Sequence, residues 1–284
     1  MRKQMFKLIA VATFAALFVV SCGRKDDDSI TVVSREEGSG TRSAFTELAG
    51  VLDAQGRDMM TATAEISNNT AVVINSVIGN AGAIGYISMG SLNNNIKALQ
   101  INGVAGTPEN VKSGQYSIAR PFLIGTRGQV SDVAQDFINF VLSENGQQVV
   151  ASRGYIGIDH TGEFVSSGAS GRVVVAGSSS VAPLMERFRE AYMAINTNAT
   201  VEIQQNSSSA GIRALQEGIC DIAMSSREFR PAEIETGITP ILVALDGIAI
   251  IVNTQNTIDN LSIEQVRGIF LGEITSWGNV KGAN

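Results

Sequence analysis

The sequence predicts an α/β protein, because short apolar runs that are typical of strands alternate with helix-like segments. In three places a β-branched run leads into a Ser/Gly-rich loop and then a helix; the runs are residues 30–33, 172–176 and 200–203. The 29 glycines and the 6% aromatic content fit an architecture with many tight turns. With 284 residues, 44% apolar and 17% charged, the chain can bury a core, which excludes disordered and fibrous classes.

The remaining elements follow from apolar spacing in chain order. The predicted helices are residues 43–48, 71–78, 131–152 (one or two helices), 183–194 and 212–217, and the further predicted strands are 83–87, 221–224 and 247–252. Residues 166–171 are rich in Ser and Gly and form the best linker candidate in the chain.

The N-terminus has the pattern of a targeting segment. A positively charged start precedes an apolar run at residues 8–20, which is shorter than the roughly 20 residues needed to span a bilayer. Small residues then lead to Cys22, as in a bacterial lipoprotein signal. We therefore expect residues 1–21 to be a signal peptide, Cys22 to be lipidated, and residues 22–29 to form a membrane tether.

Charge and composition weaken several function classes. The formal charge of −6 disfavours nucleic acid as a partner, because a phosphate backbone needs a basic face. The single histidine, His160, leaves no multi-histidine metal site and no spare base for a His-dependent triad. If Cys22 carries lipid, Cys220 has no disulfide partner within the chain and is expected to be a small core residue. No Walker loop or G-x-S-x-G elbow occurs, so the sequence favours a protein that is not an enzyme, with no cofactor and no metal.

Ser/Gly loops that follow strands and precede helices indicate an anion site. These loops are residues 38–41, 177–180 and 206–211. A helix N-terminus presents unpaired N–H groups and a partial positive charge, while serine adds a hydroxyl donor. Arg35 and Arg227 could each add a fork of donors. Together these features predict that a small tetrahedral anion binds where the loops converge.

Six motifs carry a resemblance to a known family: residues 176–183, 207–211, 221–227, 246–253, 269–277 and 35–42. They resemble the substrate-binding lipoproteins of bacterial ABC phosphate transporters. The resemblance implies a two-lobed type II periplasmic-binding-protein fold, in which each lobe is a mixed sheet flanked by helices. It also implies a two-stranded hinge and closure of the lobes on phosphate.

The resemblance also implies a set of phosphate contacts. By motif position these are Arg35, Ser39, Gly40, Thr41, Ser179, Ser180, Ser208 and Ser226, with Ser209 and Arg227 as second choices. Some family members carry Asp where Ser226 stands, and that carboxylate accepts a proton that phosphate offers and sulfate lacks. Selection of phosphate over sulfate therefore stays open, with Glu37 expected at most to orient Arg35 and Asp246 as another possible proton acceptor.

The order of the motifs departs from the family. The part that resembles residues 172–284 normally precedes the part that resembles residues 30–158, so the sequence looks like a circular permutant whose old ends meet at 166–171. A unit cut from a tandem or frame-shifted gene is the alternative. The implied domains are one lobe from residues 30–118 plus 251–284 and a second lobe from 119–250.

The resulting expectation is a monomeric, lipid-anchored receptor on the extracytoplasmic side of the membrane, in the periplasm or at the cell surface. It would capture inorganic phosphate and deliver it to the permease subunits of an ABC importer. A receptor for sulfate, molybdate or tungstate is an alternative within the binding proteins. From other classes, an anion sensor outside transport and a phosphate-ester hydrolase stay open.

Overall fold

A computed structural model describes residues 28–281 of the chain. The predicted signal peptide, Cys22 and nearly all of the predicted tether lie outside the described residues. The secondary structure elements are, in chain order, β1 (Thr31–Arg35), α1 (Gly40–Leu48), β2 (Glu65–Ser67), α2 (Thr70–Gly79), β3 (Ala83–Ser88), β4 (Ile96–Ala98), β5 (Gln100–Ile101), α3 (Pro108–Lys112), β6 (Ala119–Arg127), α4 (Asp132–Leu142), α5 (Glu144–Ser152), β7 (Gly171–Ser178), α6 (Ala182–Ile195), β8 (Ala199–Asn206), α7 (Ser208–Gln216), β9 (Ile222–Ser225), α8 (Pro231–Ile234), β10 (Ile238–Asn253), β11 (Asn260–Leu261), α9 (Ile263–Leu271) and α10 (Trp277–Lys281).

Most strands join one mixed sheet, in the order β2-β1-β3-β10-β6-β9-β7-β8, with β4 paired to the end of β10. The pairs β1–β2 and β1–β3 are parallel, and so are β7–β8 and β7–β9. In the middle, β10 runs antiparallel to both β3 and β6, and β6 runs antiparallel to β9. Alternation of strands and helices by itself favours a parallel sheet, and the sheet departs from that arrangement at β6 and β10.

Two large apolar cores lie along this sheet. The first gathers β1, β3, the end of β10 and α9, and the second gathers the middle of β6, β7, α4 and α6. Strand β6 passes from one to the other between Ile118 and Phe122, and β10 passes back between Ala244 and Ile248. We call β6 and β10 the hinge strands. Among residues 28–281, every helix is too short or too polar to cross a bilayer.

Several elements begin earlier than their apolar pattern predicts. Helix α7 starts at Ser208 rather than residue 212, because the Ser207 side chain accepts a hydrogen bond from the Ala210 N–H and caps the helix. Helix α1 starts at Gly40 rather than residue 43, with Ser39 as its cap. The Ser/Gly loops of the sequence are therefore partly the first turns of helices.

The Ser/Gly-rich segment 166–171 is hydrogen-bonded to a buried residue of α4. The Asp136 carboxylate, which is 3% exposed, accepts hydrogen bonds from Ser166 Oγ at 2.9 Å and from the Ser167 N–H at 2.8 Å. It also accepts from the Tyr192 hydroxyl at 2.9 Å. Asp136 therefore joins this segment to α4 and α6.

The two ends of the described chain lie side by side. The Trp277 N–H donates to the Asp28 carbonyl at 2.8 Å, and the Ile30 N–H donates to the Thr275 carbonyl at 2.9 Å. The Asp28 carboxylate also accepts from the Gly278 N–H at 2.6 Å. The start of β1 and the start of α10 are thus held together by backbone and side-chain hydrogen bonds.

Candidate functional site

Four helices point their N-termini at one place in the molecule. The cause is topological, because β7, β8 and β9 run in the same direction and end at the same edge of the sheet. Helices α6 and α7 follow β7 and β8 at that edge, while α1 and α2 follow β1 and β2 from the facing half. Each of the four helices has at least nine residues, so its aligned peptide dipoles place a partial positive charge at its N-terminus.

Buried hydroxyls fill the space where these helices meet. We call them the hydroxyl cluster: Thr41, Thr70, Ser178, Ser179, Ser180, Ser208 and Ser226, each at most 6% exposed. Across the gap between the two halves, Thr41 Oγ1 lies 2.7 Å from Ser180 Oγ. Thr70 Oγ1 lies 3.3 Å from Ser179 Oγ and 3.4 Å from Ser180 Oγ. These distances place the first turns of α1 and α2 within hydrogen-bond reach of the loop before α6.

The other side of the cluster is built around Ser226. Its hydroxyl accepts from Ser178 Oγ at 2.9 Å and lies 3.5 Å from Ser208 Oγ, while its N–H donates to Ser208 Oγ at 3.2 Å. A Cβ at Gly40 would overlap the hydroxyls of both Ser208 and Ser226, so only glycine lets α1 approach this closely. The predicted residues Gly40, Ser208 and Ser226 are therefore in contact.

Arg35 brings a positive charge to the cluster. It is 2% exposed, and its Nη1 donates to Thr70 Oγ1 at 3.5 Å. Its Nε donates to Glu36 Oε2 and its Nη2 donates to Glu36 Oε1, both at 2.8 Å. The expectation that Glu37 orients Arg35 is therefore wrong, because the neighbouring carboxylate takes that position and Glu37 is exposed. The predicted contact Ser39 uses its hydroxyl to cap α1 by accepting from the Arg42 N–H at 3.3 Å.

The two second-choice residues lie beside the cluster rather than in it. Arg227 holds both carboxylate oxygens of Glu233, at 2.7 and 2.9 Å, and donates to Ser209 Oγ at 3.2 Å. Both residues line a cleft of about 870 Å³ outside the cluster. The Ser209 N–H donates to the Gly38 carbonyl at 3.1 Å, which joins the start of α7 to the turn before α1.

Asp246 lies behind the cluster and pairs with Arg120. Its Oδ2 accepts from Arg120 Nε at 3.2 Å and Nη2 at 3.1 Å, and its Oδ1 accepts from Ser88 Oγ at 2.9 Å. Burial raises the pKa of Asp246 to about 6, although the Arg120 charge opposes this shift. Among the described residues, its carboxylate thus binds Arg120 and Ser88 and has no hydrogen bond to a hydroxyl of the cluster, and its suggested role as proton acceptor stays a prediction.

Sequence reasoning missed Thr70, and it did not pair Asp246 with Arg120. The segment before Thr70 has the same signal as the other loops, since Asn68 and Asn69 follow a strand that ends at Ser67 and precede an apolar helix. Strand β2 escaped notice because it has only three residues, of which two are exposed. The ion pair has no local signal, because its two residues are 126 positions apart.

The site consists of donors that suit an anion. Hydroxyls can donate to an oxyanion, helix N-termini favour negative charge, and Arg35, which pairs with Glu36 through Nε and Nη2, directs its Nη1 at Thr70 of the cluster. Within residues 28–281, His, Cys, Asp and Glu form no group of three that could hold a metal ion. The arrangement can bind and orient a small oxyanion.

Comparisons with known proteins agree with this arrangement. A family model described as a PBP superfamily domain matches residues 10–145 and 165–284. The chain is 41% identical over 289 residues to "Phosphate-binding protein PstS 2" of Streptococcus agalactiae serotype V, covering 98% of this chain and 99% of that protein. The crystal structure of a phosphate ABC transporter, phosphate-binding protein from Streptococcus pneumoniae TIGR4 is 44% identical, with a TM-score of 0.71, and covers 89% of this chain and 99% of that one.

A third relative matches over a shorter span. The "Phosphate-binding protein PstS" of Bacillus subtilis is 35% identical over 132 residues, which is 46% of this chain and 42% of that protein. The chain belongs to the PBP superfamily and, within it, to the family of phosphate-binding proteins PstS. The predicted α/β fold of a periplasmic-binding-protein type is thereby confirmed.

Proposed function

We propose that this protein is the phosphate receptor of an ABC importer. The observation that carries the proposal is the hydroxyl cluster with Arg35, placed where the N-termini of four helices converge. The names of its full-length relatives, which are phosphate-binding proteins, support the same ligand. The protein would capture phosphate by noncovalent contacts alone, without enzymatic chemistry, cofactor or metal.

The proposed phosphate contacts are Arg35, Ser39, Gly40, Thr41, Ser179, Ser180, Ser208 and Ser226, to which the structure adds Thr70 as a candidate. A hydrogen bond to a charged group contributes about 1.5–3 kcal/mol net. Several such bonds can offset the cost of association and reach about −8 kcal/mol, which is a micromolar dissociation constant. Arg227 and Ser209 are better suited to the outer cleft, because both line it and, within the described part of the chain, no hydrogen bond joins either of them to the hydroxyl cluster.

We also propose that residues 30–118 plus 251–284 act as one lobe and residues 119–250 as the other. The two apolar cores and the hinge strands support this division, although Ile248, Ala249 and Ile250 already pack in the first core. The contacts between Thr41 and Ser180 and between Gly38 and Ser209 join the two proposed lobes across the cluster. Phosphate would then be held by both lobes, and opening at the hinge would release it.

We propose that the chain is a circular permutant of the more common order. Two observations support this origin over a gene fragment. Asp28 and Trp277, which lie near the two ends of the described residues, are in hydrogen-bond contact, so a chain that joined these two segments directly would need little rearrangement. In addition, the Bacillus subtilis relative aligns with less than half of the chain, whereas the streptococcal relative aligns nearly from end to end.

The remaining parts of the proposal concern the setting of the receptor. We propose that residues 1–21 are removed as a signal peptide and that Cys22 carries the lipid that holds a monomeric protein on the extracytoplasmic face. There it would pass phosphate to the permease subunits. The apolar run before Cys22 and the transporter named for the streptococcal structure support this setting. Mass spectrometry of the mature N-terminus tests the lipid directly.

Calorimetric titration of the purified protein with phosphate, alone and in excess sulfate, tests the proposed ligand. We expect a dissociation constant on the order of micromolar that sulfate does not change. Tighter binding of sulfate, molybdate or tungstate would instead identify a receptor for another oxyanion. A folded protein that binds no oxyanion would contradict the proposal.

A further inference from the structure

A buried ion pair stands where the two hinge strands cross between the cores. Arg120 of β6 and Asp246 of β10 are direct partners in the antiparallel register. Their side chains are 1% and 0% exposed, and two hydrogen bonds join the guanidinium to one carboxylate oxygen. Such a pair is weak evidence for stability, because removing both charges from water offsets much of their attraction. Stability alone therefore does not explain an ion pair at this point.

The pair contacts both halves of the molecule. On one side, Asp246 accepts from the hydroxyl of Ser88, the last residue of β3 in the first core. On the other side, Arg120 Nη1 donates to the Ser226 carbonyl at 3.3 Å. Ser226 directly follows strand β9, which pairs with β6. The guanidinium thus connects the hinge to the backbone of one cluster residue.

Ser226 contacts two other residues of the hydroxyl cluster, Ser178 and Ser208. Its hydroxyl accepts from Ser178 and its N–H donates to Ser208 Oγ, so a shift of its backbone would move both contacts. The Arg120–Asp246 pair is close to neutral overall, so its effect on a bound anion comes from geometry more than from charge. That geometry is set at the hinge.

We propose that Arg120 and Asp246 are positioning residues for the anion site, which hold the Ser226 backbone in place from the hinge strands. The inference rests on the proposed phosphate binding, but it concerns residues outside the hydroxyl cluster. Arg120 fixes the Ser226 carbonyl, and Asp246 fixes Arg120 while anchoring it to Ser88. The pair acts on phosphate affinity through Ser226.

The test compares phosphate dissociation constants of the wild type, the double variant Arg120→Gln/Asp246→Asn, Ser226→Ala, and the triple variant. The double variant removes both charges together and so leaves no unpaired buried charge. We expect its dissociation constant to rise at least about tenfold, and we expect the effect of Ser226→Ala to be much smaller in that background. The coupling between the two changes is a signature that a merely structural ion pair would lack.

Asp136→Asn is the matched control, since Asp136 is another buried carboxylate with hydroxyl and amide partners but packs against α6 in the second core. It should lower the melting temperature and leave phosphate affinity unchanged. If the wild type binds phosphate and the folded double variant binds equally well, or if its effect adds fully to Ser226→Ala, the inference is overturned. Absence of binding by the wild type would instead contradict the proposed function.

Should the double variant fail to fold, Arg120→Lys provides the same test. Lysine keeps the charge opposite Asp246 but cannot donate to Asp246 and to the Ser226 carbonyl with a planar fork. We expect weaker phosphate binding with coupling to Ser226→Ala. Unchanged affinity in a folded Arg120→Lys protein would overturn the inference.

Discussion

Thr70 is the member of the hydroxyl cluster whose contribution can be isolated best at the scale of a single residue. Valine has nearly the same shape but lacks the hydroxyl that contacts Ser179, Ser180 and Arg35. Because a hydrogen bond to a charged ligand contributes about 1.5–3 kcal/mol, we expect Thr70→Val to raise the phosphate dissociation constant at least about tenfold. Calorimetric titration measures this change.

Thr70→Ser is the control, because it keeps the hydroxyl and should bind phosphate nearly as tightly as the wild type. If Thr70→Val binds as well as Thr70→Ser, the hydroxyl of this residue does not contact the anion. The assignment of α2 to the site would then be wrong.

Individual residues also show where sequence reasoning was limited. Ser180, Ser208 and Ser226 meet because each comes within two residues of the end of a strand of one parallel group, and that arrangement could be predicted from local pattern. The choice between Glu36 and Glu37 as partner of Arg35 could not, because it depends on the backbone conformation of the turn after β1. Long-range hydrogen bonds such as those of Arg120 carry no signal in local sequence.

At the scale of elements, the close approach of α1 to α7 is a requirement of the site. An alanine at position 40 would place its Cβ against the hydroxyls of Ser208 and Ser226. We expect Gly40→Ala to fold and to lose phosphate binding by at least about a hundredfold, because it separates the two halves of the cluster; this corresponds to about 2.7 kcal/mol. Titration and thermal melting of the same sample separate the two effects.

The matched control is Gly79→Ala, at the end of α2, where an added Cβ meets no heavy atom within 4 Å. Alanine is favoured over glycine in a helix, so this variant should be as stable as the wild type or slightly more so, with unchanged affinity. Equal phosphate affinity of Gly40→Ala and the wild type would show that the halves need not approach this closely.

Some helices and strands could be predicted from the sequence more accurately than others, and the difference has physical reasons. Helix α2 and strand β3 agree closely with the predicted ranges 71–78 and 83–87, because each has a strong local pattern. Strand β10 extends over 16 residues rather than the predicted 247–252, because pairing with β6 supports a first half that is partly exposed and contains Pro240. The antiparallel direction of the central strands depends on which neighbours they meet, which is decided by tertiary packing.

At the scale of the whole molecule, the contact between Asp28 and Trp277 makes it possible to test the proposed permutation of the two sequence segments. A rearranged gene that starts at residue 171, joins residue 281 to residue 28 through a short linker, and ends at residue 165 restores the more common order. Because Trp277 and Asp28 are already hydrogen-bonded, we expect this protein to fold and to bind phosphate within about threefold of the natural chain.

A second rearrangement, opened between Val243 and Ala244 of β10, is the control. Both residues are fully buried, so this opening interrupts a central strand and should prevent folding. Circular dichroism and phosphate titration compare the two proteins. If the first rearrangement also fails to fold, the proposed permutation loses its structural support.

The central claim is that phosphate binds where the N-termini of α1, α2, α6 and α7 meet, in contact with the hydroxyl cluster and Arg35. A crystal structure of the protein with phosphate tests it most directly. We predict one tetrahedral anion within hydrogen-bond distance of Thr41 Oγ1, Ser180 Oγ and Ser226 Oγ. Phosphate found only in the outer cleft, against Arg227 and Arg230, would contradict the claim.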